Sequence, residues 1–480
     1  MKENLIGREV ECEKLQACLD SKKSQLVIIY GRRRVGKTYL VNQFFNNSFA
    51  FKVTGVFDKP KEVQLEVFTQ SLNNYFGSTF ETPDGWFKAF NILRNQLTTF
   101  PKDKKMIVFF DEMPWMDTQK SDFLSAFEWF WNDWGCAQNN IVFLVCGSAT
   151  SWLVKNIDHN KGGMFNRQNC KLYLEPFNLN QTKKFLLSKN IDWSPYDIAM
   201  CYMIMGGIPY YLDLLSNEYT LNQNIDSMFF KRHGALWDEF EHLYNTLFSS
   251  SETHIKIVEA LSEKRIGLSK KEISEKTNIS QNGRLTEMLS NLVSSGFIRE
   301  YSFYGSKKKQ TLYQLSDYYT MFYFKFIKGK QGKDEHFWSN STASPQVNSW
   351  SGFTFEQLCK DHLRQIKHKL GISGVLSYES SWFVQADEDH DGAQIDMLLD
   401  RRDHVINVCE IKFSNDEFEI DKDYDLNLKR KINRFREVTN TKKTVLLTMI
   451  TSFGVKKNMY VNNVQSQVTL KDLFRGEEDM

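Results

Sequence analysis

The sequence has no apolar run long enough to cross a bilayer, and Met1 to Gly7 lack the apolar core of a signal peptide. Both absences point to a soluble, cytoplasmic protein with no membrane partner. A surplus of charge is also missing. Lys and Arg total 61 against 59 Asp and Glu, a formal net charge of +2, so any nucleic-acid surface must be local. The eight cysteines include no Cys-x-x-Cys pair, and Cys12 with Cys18 fits no common zinc pattern, which leaves reduced, mostly structural thiols. Low-complexity sequence and internal repeats are absent too, so disorder should be local.

What is present is ordinary globular material: 41% hydrophobic and 25% charged residues over 480 positions, enough for two to four domains. Three short apolar runs, Leu26 to Tyr30, Met106 to Phe110 and Ile141 to Cys146, read as buried parallel strands. Amphipathic stretches such as Lys61 to Tyr75 and Phe123 to Trp134 lie between them, which implies a doubly wound α/β domain over residues 1–178. Helical patterns at Asn180 to Lys189, Tyr196 to Met205 and Ser227 to Leu247 suggest a helical lid over 179–250. Residues 251–327 have a winged-helix layout: helices Ile255 to Ser262, Lys270 to Lys276 and Asn282 to Ser295, then two short strands around Gly305 to Lys309. A polar stretch over 328–350 reads as a linker. From 351 to 480 the pattern predicts a further α/β domain: a helix over Phe353 to Leu370, strands around Asp396 and Glu410, and a basic helix over Leu426 to Arg436.

The chemistry begins at Gly31-Arg32-Arg33-Arg34-Val35-Gly36-Lys37-Thr38. Gly31 and Gly36 free the backbone so that N–H groups can face phosphates. Lys37 brings charge to the β and γ oxygens, and Thr38 brings a hydroxyl to Mg2+. The loop follows a strand and opens a helix at Tyr39, the context a P-loop for ATP requires. The strand Met106 to Phe110 ends in Asp111-Glu112. Asp111 is placed to hold Mg2+ and Glu112 to orient or deprotonate the attacking water. Binding without hydrolysis stays open. Ser148, after the third strand, is the candidate γ-phosphate sensor, against a plain turn residue. Arg167 is a candidate arginine finger acting in its own or a neighbouring subunit, which would require a homo-oligomer, against a surface ion pair.

Ile6-Gly7-Arg8-Glu9, the arginine-rich loop, Asp111 to Trp115, Gly147-Ser148, Arg167 and Gly206-Gly207-Ile208-Pro209-Tyr210-Tyr211-Leu212 together resemble the archaeal-type AAA+/STAND ATPases. The resemblance spans most of the chain. It implies that Gly7 to Glu9, with Arg8 between them, lies near the adenine and that the segment Gly206 to Leu212, with Pro209, packs on the nucleotide from the lid.

The C-terminal domain resembles the PD-(D/E)xK restriction-type nucleases, through Asp396 in one strand and Glu410-Ile411-Lys412 ending the next. Two carboxylates at one edge of a hairpin can hold Mg2+ or Mn2+. The period of two along a strand puts Lys412 on the face of Glu410, where it would stabilise an attacking hydroxide or the developing phosphorane charge. Glu356 resembles the acid that such folds supply from their first helix. The alternative is a hairpin whose Asp and Glu-x-Lys form a cross-strand ion pair.

In the winged helix, Leu285, Leu289 and Leu292 share one face while Gln281, Arg284 and Glu287 face outwards. With Lys307, Lys308 and Lys309 at the wing tip and a basic run from Lys429 to Arg436, they suggest DNA as partner, against a wing that only packs. The sequence thus supports an ATP-driven ATPase with a metal-dependent DNase domain. A STAND-type signalling switch with an inactive, binding-only C-terminal domain is the second reading, and a winged-helix regulator with vestigial nucleotide binding the third.

Overall fold

A computed structural model describes residues 5–158, 168–248, 250–305, 311–388 and 391–476. The chain divides into two units: Met1–Pro176 with His242–Ser251 and Glu287–Gly296, and the remainder from Phe177 onward.

The first unit is built on a parallel five-stranded sheet, ordered β2-β3-β4-β1-β5, from β1 (Gln25–Tyr30), β2 (Phe51–Thr54), β3 (Met106–Asp111), β4 (Ile141–Gly147) and β5 (Cys170–Tyr173). Almost every residue of β1, β3 and β4 is buried. That explains why they read as unbroken apolar runs: a parallel sheet is covered on both faces. One cover is unusually aromatic, with Phe68, Trp86, Phe90, Phe123, Phe127, Phe130 and Trp131 packed over Phe51, Phe110 and Phe143 of the sheet. Aromatic rings bury large areas with few rotatable bonds, so this layer holds the sheet edges where the site is built at low entropic cost. The sheet order sets β4 between the strand that leads into the P-loop and the strand that carries Asp111.

The second unit contains two sheets. A small antiparallel sheet, ordered β6-β8-β7, comprises β6 (Leu268–Ser269), β7 (Ile298–Tyr301) and β8 (Leu312–Leu315). Helix Ser251–Ser262 precedes β6, and helices Lys270–Thr277 and Gly283–Ser294 lie between β6 and β7, the last of them divided between the two units. Leu285, Leu289 and Leu292 are buried there, and Gln281, Arg284 and Glu287 are exposed. Lys307, Lys308 and Lys309 lie outside the described residues.

The larger sheet, ordered β13-β12-β11-β10-β9, comprises β9 (Ser377–Val384), β10 (Ala393–Arg401), β11 (Val405–Lys412), β12 (Thr444–Thr451) and β13 (Ser466–Thr469). β9, β10 and β11 pair antiparallel, and β11, β12 and β13 parallel. The helix Lys422–Thr439 lays Phe435 against Trp382, ring centres 5.3 Å apart, closing a core with Ile395, Leu398 and Ile406.

Three expectations change. The stretch 328–350 is mostly exposed but anchored: Trp338 is 1% exposed among Phe322, Phe326 and Trp350, and the helix expected at Phe353 starts at Pro345. Its polar composition hid one large apolar anchor. The helix expected over Ser227 to Leu247 is interrupted, with a π-helical turn at Asp226–Phe230 and a new helix at Glu239–Leu247. Asp226 instead accepts hydrogen bonds from the backbone N–H of Trp338 and Ser339, at 2.8 and 3.2 Å. The basic run from Lys429 to Arg436 is largely consumed within the unit. Lys429 pairs with Asp425 at 2.7 Å, Lys431 with Glu410 at 3.0 Å, Arg430 with Asp391 and Arg434 with Asp387.

Candidate active sites

Gly31 ends β1 with φ 142°, and a β-carbon there would stand 2.4 Å from the carbonyl oxygen of Leu174. Only glycine allows the loop to run this close to the neighbouring chain. Gly36, at φ 90°, opens the helix Lys37–Phe44. The Lys37 ammonium donates to the carbonyls of Gly31 and Arg32, both at 2.9 Å, inside the loop it belongs to. Burial lowers its pKa. A cation hydrogen-bonded to two carbonyls of its own loop, with Glu112 and Asp111 nearby, is set up to exchange those carbonyls for phosphate oxygens.

Thr38 Oγ1 donates to the Asp111 carboxylate, 2.9 and 3.0 Å from its two oxygens. Burial, then the neighbouring Glu112 charge, raises Asp111 above the usual carboxylate range. This hydroxyl and carboxylate form the oxygen-only donor set that Mg2+ takes. Cys146, at the end of β4, is buried beside this pair, and its thiol is held protonated by burial and by Asp111.

Glu112 adopts left-handed backbone geometry, φ 46°. Its Oε2 accepts from both the N–H and the hydroxyl of Ser148, each at 2.9 Å. β4 delivers Ser148 to this position because it lies between β1 and β3. Arg8 is buried and donates 3.0 Å bonds to the carbonyls of Val35 and Glu175. Its guanidinium therefore ties the P-loop to the segment leaving β5. Glu175 has no sequence signature for this bond, because its backbone carbonyl accepts it. Gly7 has φ 67° beside Arg8, and Tyr39 is exposed on the P-loop helix. Pro209 starts the helix Pro209–Asp213 in the second unit. Arg167 lies outside the described residues.

A parallel sheet whose P-loop, acidic pair and Ser148 converge at the carboxyl ends of adjacent strands defines a P-loop ATPase domain. Residues 5–215 match the family described as an ATPase domain predominantly from Archaea. Over 416 residues the chain is 24% identical to an uncharacterized protein, MJECL04, of Methanocaldococcus jannaschii, covering 85% of this chain and 88% of that one. A 42-residue segment is 45% identical to the uncharacterized ATP-binding protein MJ0423 of the same organism, covering 9% of this chain and 71% of that one. Among solved structures, the Walker-type ATPase paby2304 of Pyrococcus abyssi is similar at 17% identity and TM-score 0.47, over 67% of this chain and 97% of that one. The ORC2 protein of Aeropyrum pernix in its ADPNP–ADP complexes is similar at 14% identity and TM-score 0.41, over 75% and 97%.

A second constellation lies in the second unit. β10 and β11 form a hairpin in register Met397↔Cys409, so Asp396 and Glu410 come one residue beyond that pair. Glu410 is 1% exposed. It accepts from Tyr424 Oη at 2.6 Å and from Lys431 Nζ at 3.0 Å, with Lys412 Nζ 3.2 Å away. Burial pushes Glu410 up, but the Lys431 and Lys412 ammoniums outweigh it and hold it below the usual range. Asp396 is raised by burial and by the Glu410 charge. Glu356, on the helix Pro345–Asp361, is pushed up to about 8 by burial and by Asp396.

The three carboxylates thus feel one another. Even so, among the described residues no three His, Cys, Asp or Glu side chains are gathered to hold a metal as they stand. Glu410 is closed on two lysines, Lys412 of its own strand and Lys431 of the helix Lys422–Thr439, rather than on a cross-strand partner, while Glu356 and Asp396 carry the electrostatic strain.

That strain has a measurable sign. Below about pH 4.5 Glu356 is protonated whether folded or unfolded. Between 4.5 and about 8 only the folded chain keeps the proton, so stability falls as pH rises. Glu356→Gln should therefore gain thermal stability relative to wild type as pH goes from 5 to 8, followed by melting at each pH. A difference that stays constant across that window would rule out a raised Glu356.

Among the described residues no helix is long and apolar enough to cross a membrane.

Proposed function

We propose that the chain hydrolyses ATP and acts on or with DNA, and that its C-terminal part, 351–480, is a metal-dependent deoxyribonuclease of PD-(D/E)xK type. Residues 1–178 would be the ATPase core, 179–250 the lid and 251–327 the winged helix, with Gln281, Arg284 and Glu287 offered to the groove. The observation that supports the nuclease assignment is that Glu356, Asp396, Glu410 and Lys412, from one helix and two paired strands, act on one another's charge.

In the ATPase, Thr38 and Asp111 would hold Mg2+, which when bound neutralises phosphate charge. Lys37 exchanges its loop carbonyls for the β and γ oxygens, and Gly31, Val35 and Gly36 offer their N–H groups. Glu112 takes the proton of the attacking water through its carboxylate, while Ser148 fixes one oxygen of that carboxylate and reports on the γ-phosphate. Gly7, Arg8, Tyr39 and Pro209 are assigned to the nucleotide's surroundings, and Arg167 to a finger in an oligomer. In the nuclease, Glu356, Asp396 and Glu410 would hold Mg2+ or Mn2+, which when bound supplies an activated water, and Lys412 would steady the developing negative charge.

The second reading, a STAND-type switch with a binding-only C-terminal domain, is favoured by one observation: Glu410 and the basic helix spend their charges on each other. Plasmid DNA incubated with Mg2+ or Mn2+, with and without ATP, separates the two. Metal-dependent nicking supports the nuclease, and ATP consumption beside intact plasmid supports the switch. Lys37→Ala should weaken ATP binding about tenfold to a hundredfold, the worth of one charged hydrogen-bonding group. Unchanged affinity in a nucleotide titration would remove Lys37 from the site.

A further inference from the structure

The helix Pro345–Asp361 buries one side and leaves a stripe on another. Ser349, Phe353, Glu356 and Lys360 follow one another at spacings of four, three and four residues, which puts them on one face. None of the four is among the buried residues of the helix. The stripe rises about 16 Å from Ser349 to Lys360, with Glu356 about 10 Å from its start.

The segment 251–327 lies along it. The turn before β6 lays Arg265 over the first half: its guanidinium donates to Ser349 Oγ at 2.7 Å and lies 5.4 Å from the Phe353 ring centre. At the other end, Lys360 Nζ is 5.6 Å from the ring centre of Tyr301 in β7. Tyr301 Oη in turn donates to the carbonyl of Ile266, beside Arg265. A cation therefore stands on either side of Glu356 along the helix, each set in place by a neutral group.

Both cations act on the Glu356 carboxylate, as does Lys412. Lys360 acts on Asp396 and on Glu379 of β9 as well. Yet among the described residues neither is closed on a carboxylate in a direct ion pair, as Lys431 is on Glu410 at 3.0 Å. The acid next to Lys360, Asp361, is taken by Arg299 at 2.9 Å and by the Tyr318 hydroxyl. Arg265 is exposed and Lys360 half-buried, so both keep N–H groups to offer, and phosphate oxygens are strong acceptors for such donors. A polyanion brought up to Glu356 and Asp396 meets their negative charge, and cations to either side are what would hold it there.

We infer that a DNA strand lies along this stripe, with one backbone phosphate on Arg265 and another on Lys360, on opposite sides of Glu356. At roughly 3.4 Å of rise per nucleotide the stripe spans several nucleotides. The segment 251–327 thereby supplies part of the grip on the strand that the C-terminal part would cut. The inference rests on the proposed DNA partner and not on cleavage, because the two cations would grip a strand equally in a binding-only module.

The test uses the full chain with divalent metal chelated, so that nothing is cut, and a short fluorescein-labelled DNA, duplex or single-stranded, followed by anisotropy over a series of salt concentrations. Arg265→Ala and Lys360→Ala should each weaken binding about tenfold. Each should also flatten the plot of log affinity against log salt, by about 0.9 for duplex or about 0.7 for a single strand, the worth of one phosphate contact. Arg265→Lys and Lys360→Arg keep the charge and should keep the slope. Ser349→Ala removes a hydrogen-bond partner of Arg265 but no charge, and should also leave the slope as in wild type. Absence of DNA binding by wild type overturns the inference. So does a slope that neither alanine variant moves, because a purely structural role would weaken binding without changing the count of released ions. Flattened slopes beside plasmid left intact in Mg2+ keep the inference and remove the nuclease, whereas cut plasmid with unmoved slopes does the reverse.

Discussion

Glu112→Gln should bind ATP within a few-fold of wild type and hydrolyse it roughly 10²–10⁴-fold more slowly, the worth of a positioned general base. The amide keeps the size of the carboxylate and an oxygen for the Ser148 N–H and hydroxyl, each 2.9 Å from Glu112 Oε2. Binding geometry therefore survives and basicity does not. The backbone marks the residue as well. A non-glycine residue at φ 46° costs on the order of 1–3 kcal/mol and persists only where its surroundings impose it. Here they do: the Glu112 carbonyl comes to 2.5 Å from where a β-carbon on Gly55 would stand, so a residue without one is needed opposite. Phosphate release in steady state, beside a nucleotide titration, separates the two quantities. Equal turnover by wild type and Glu112→Gln would remove the residue from the reaction.

Asp396→Ala should abolish metal-dependent DNA cleavage, by about 10³-fold or more, while ATP turnover is unchanged. Losing the carboxylate that brings in the metal forfeits several kcal/mol of transition-state stabilisation, at about 1.4 kcal/mol per factor of ten. The variant also relieves an electrostatic burden, because Asp396 is raised by burial and by the Glu410 charge and itself raises Glu356. It should consequently melt no lower than wild type, which separates lost chemistry from lost folding. Gel analysis of plasmid nicking reads the first effect and thermal melting the second. Cleavage that persists in Asp396→Ala would place the activity elsewhere.

The parts legible in the sequence were those where one local pattern carries the information. β1, β3 and β4 are buried along nearly their whole length, so apolar runs gave them away, and the turns that follow them carry Lys37, Asp111, Glu112 and Ser148. β2 and β5 escaped because they are four-residue edge strands with mixed exposure, where no run or alternation is long enough to register. The anchoring of 328–350 escaped for another reason: a single buried Trp338 among polar residues contributes much apolar burial while leaving composition almost unchanged. Arg8 was singled out, but its two carbonyl partners, Val35 and Glu175, are contacts of the folded backbone that no side-chain pattern encodes. The capture of Glu410 by Lys431 and Tyr424 depends on how the helix Lys422–Thr439 lies against β11, a long-range fact.

The helix Pro195–Met205 falls within the family match at 5–215, yet it is apolar nearly all round, with Ile198, Ala199, Cys201 and Tyr202 to Met205 all buried. Its cover comes from far along the chain. It packs on helices Tyr318–Phe322, Pro345–Asp361 and Leu470–Leu473. Tyr196 stacks on Phe413, ring centres 4.7 Å apart, one residue past Lys412. An expression fragment cut at residue 215 would present this helix to water as a sticky apolar rod. For the same reason, a recombination event that swapped the C-terminal part for an unrelated one would have to bring a new cover for it. The segment that matches an ATPase family thus depends, for the cover of this helix, on sequence outside the match.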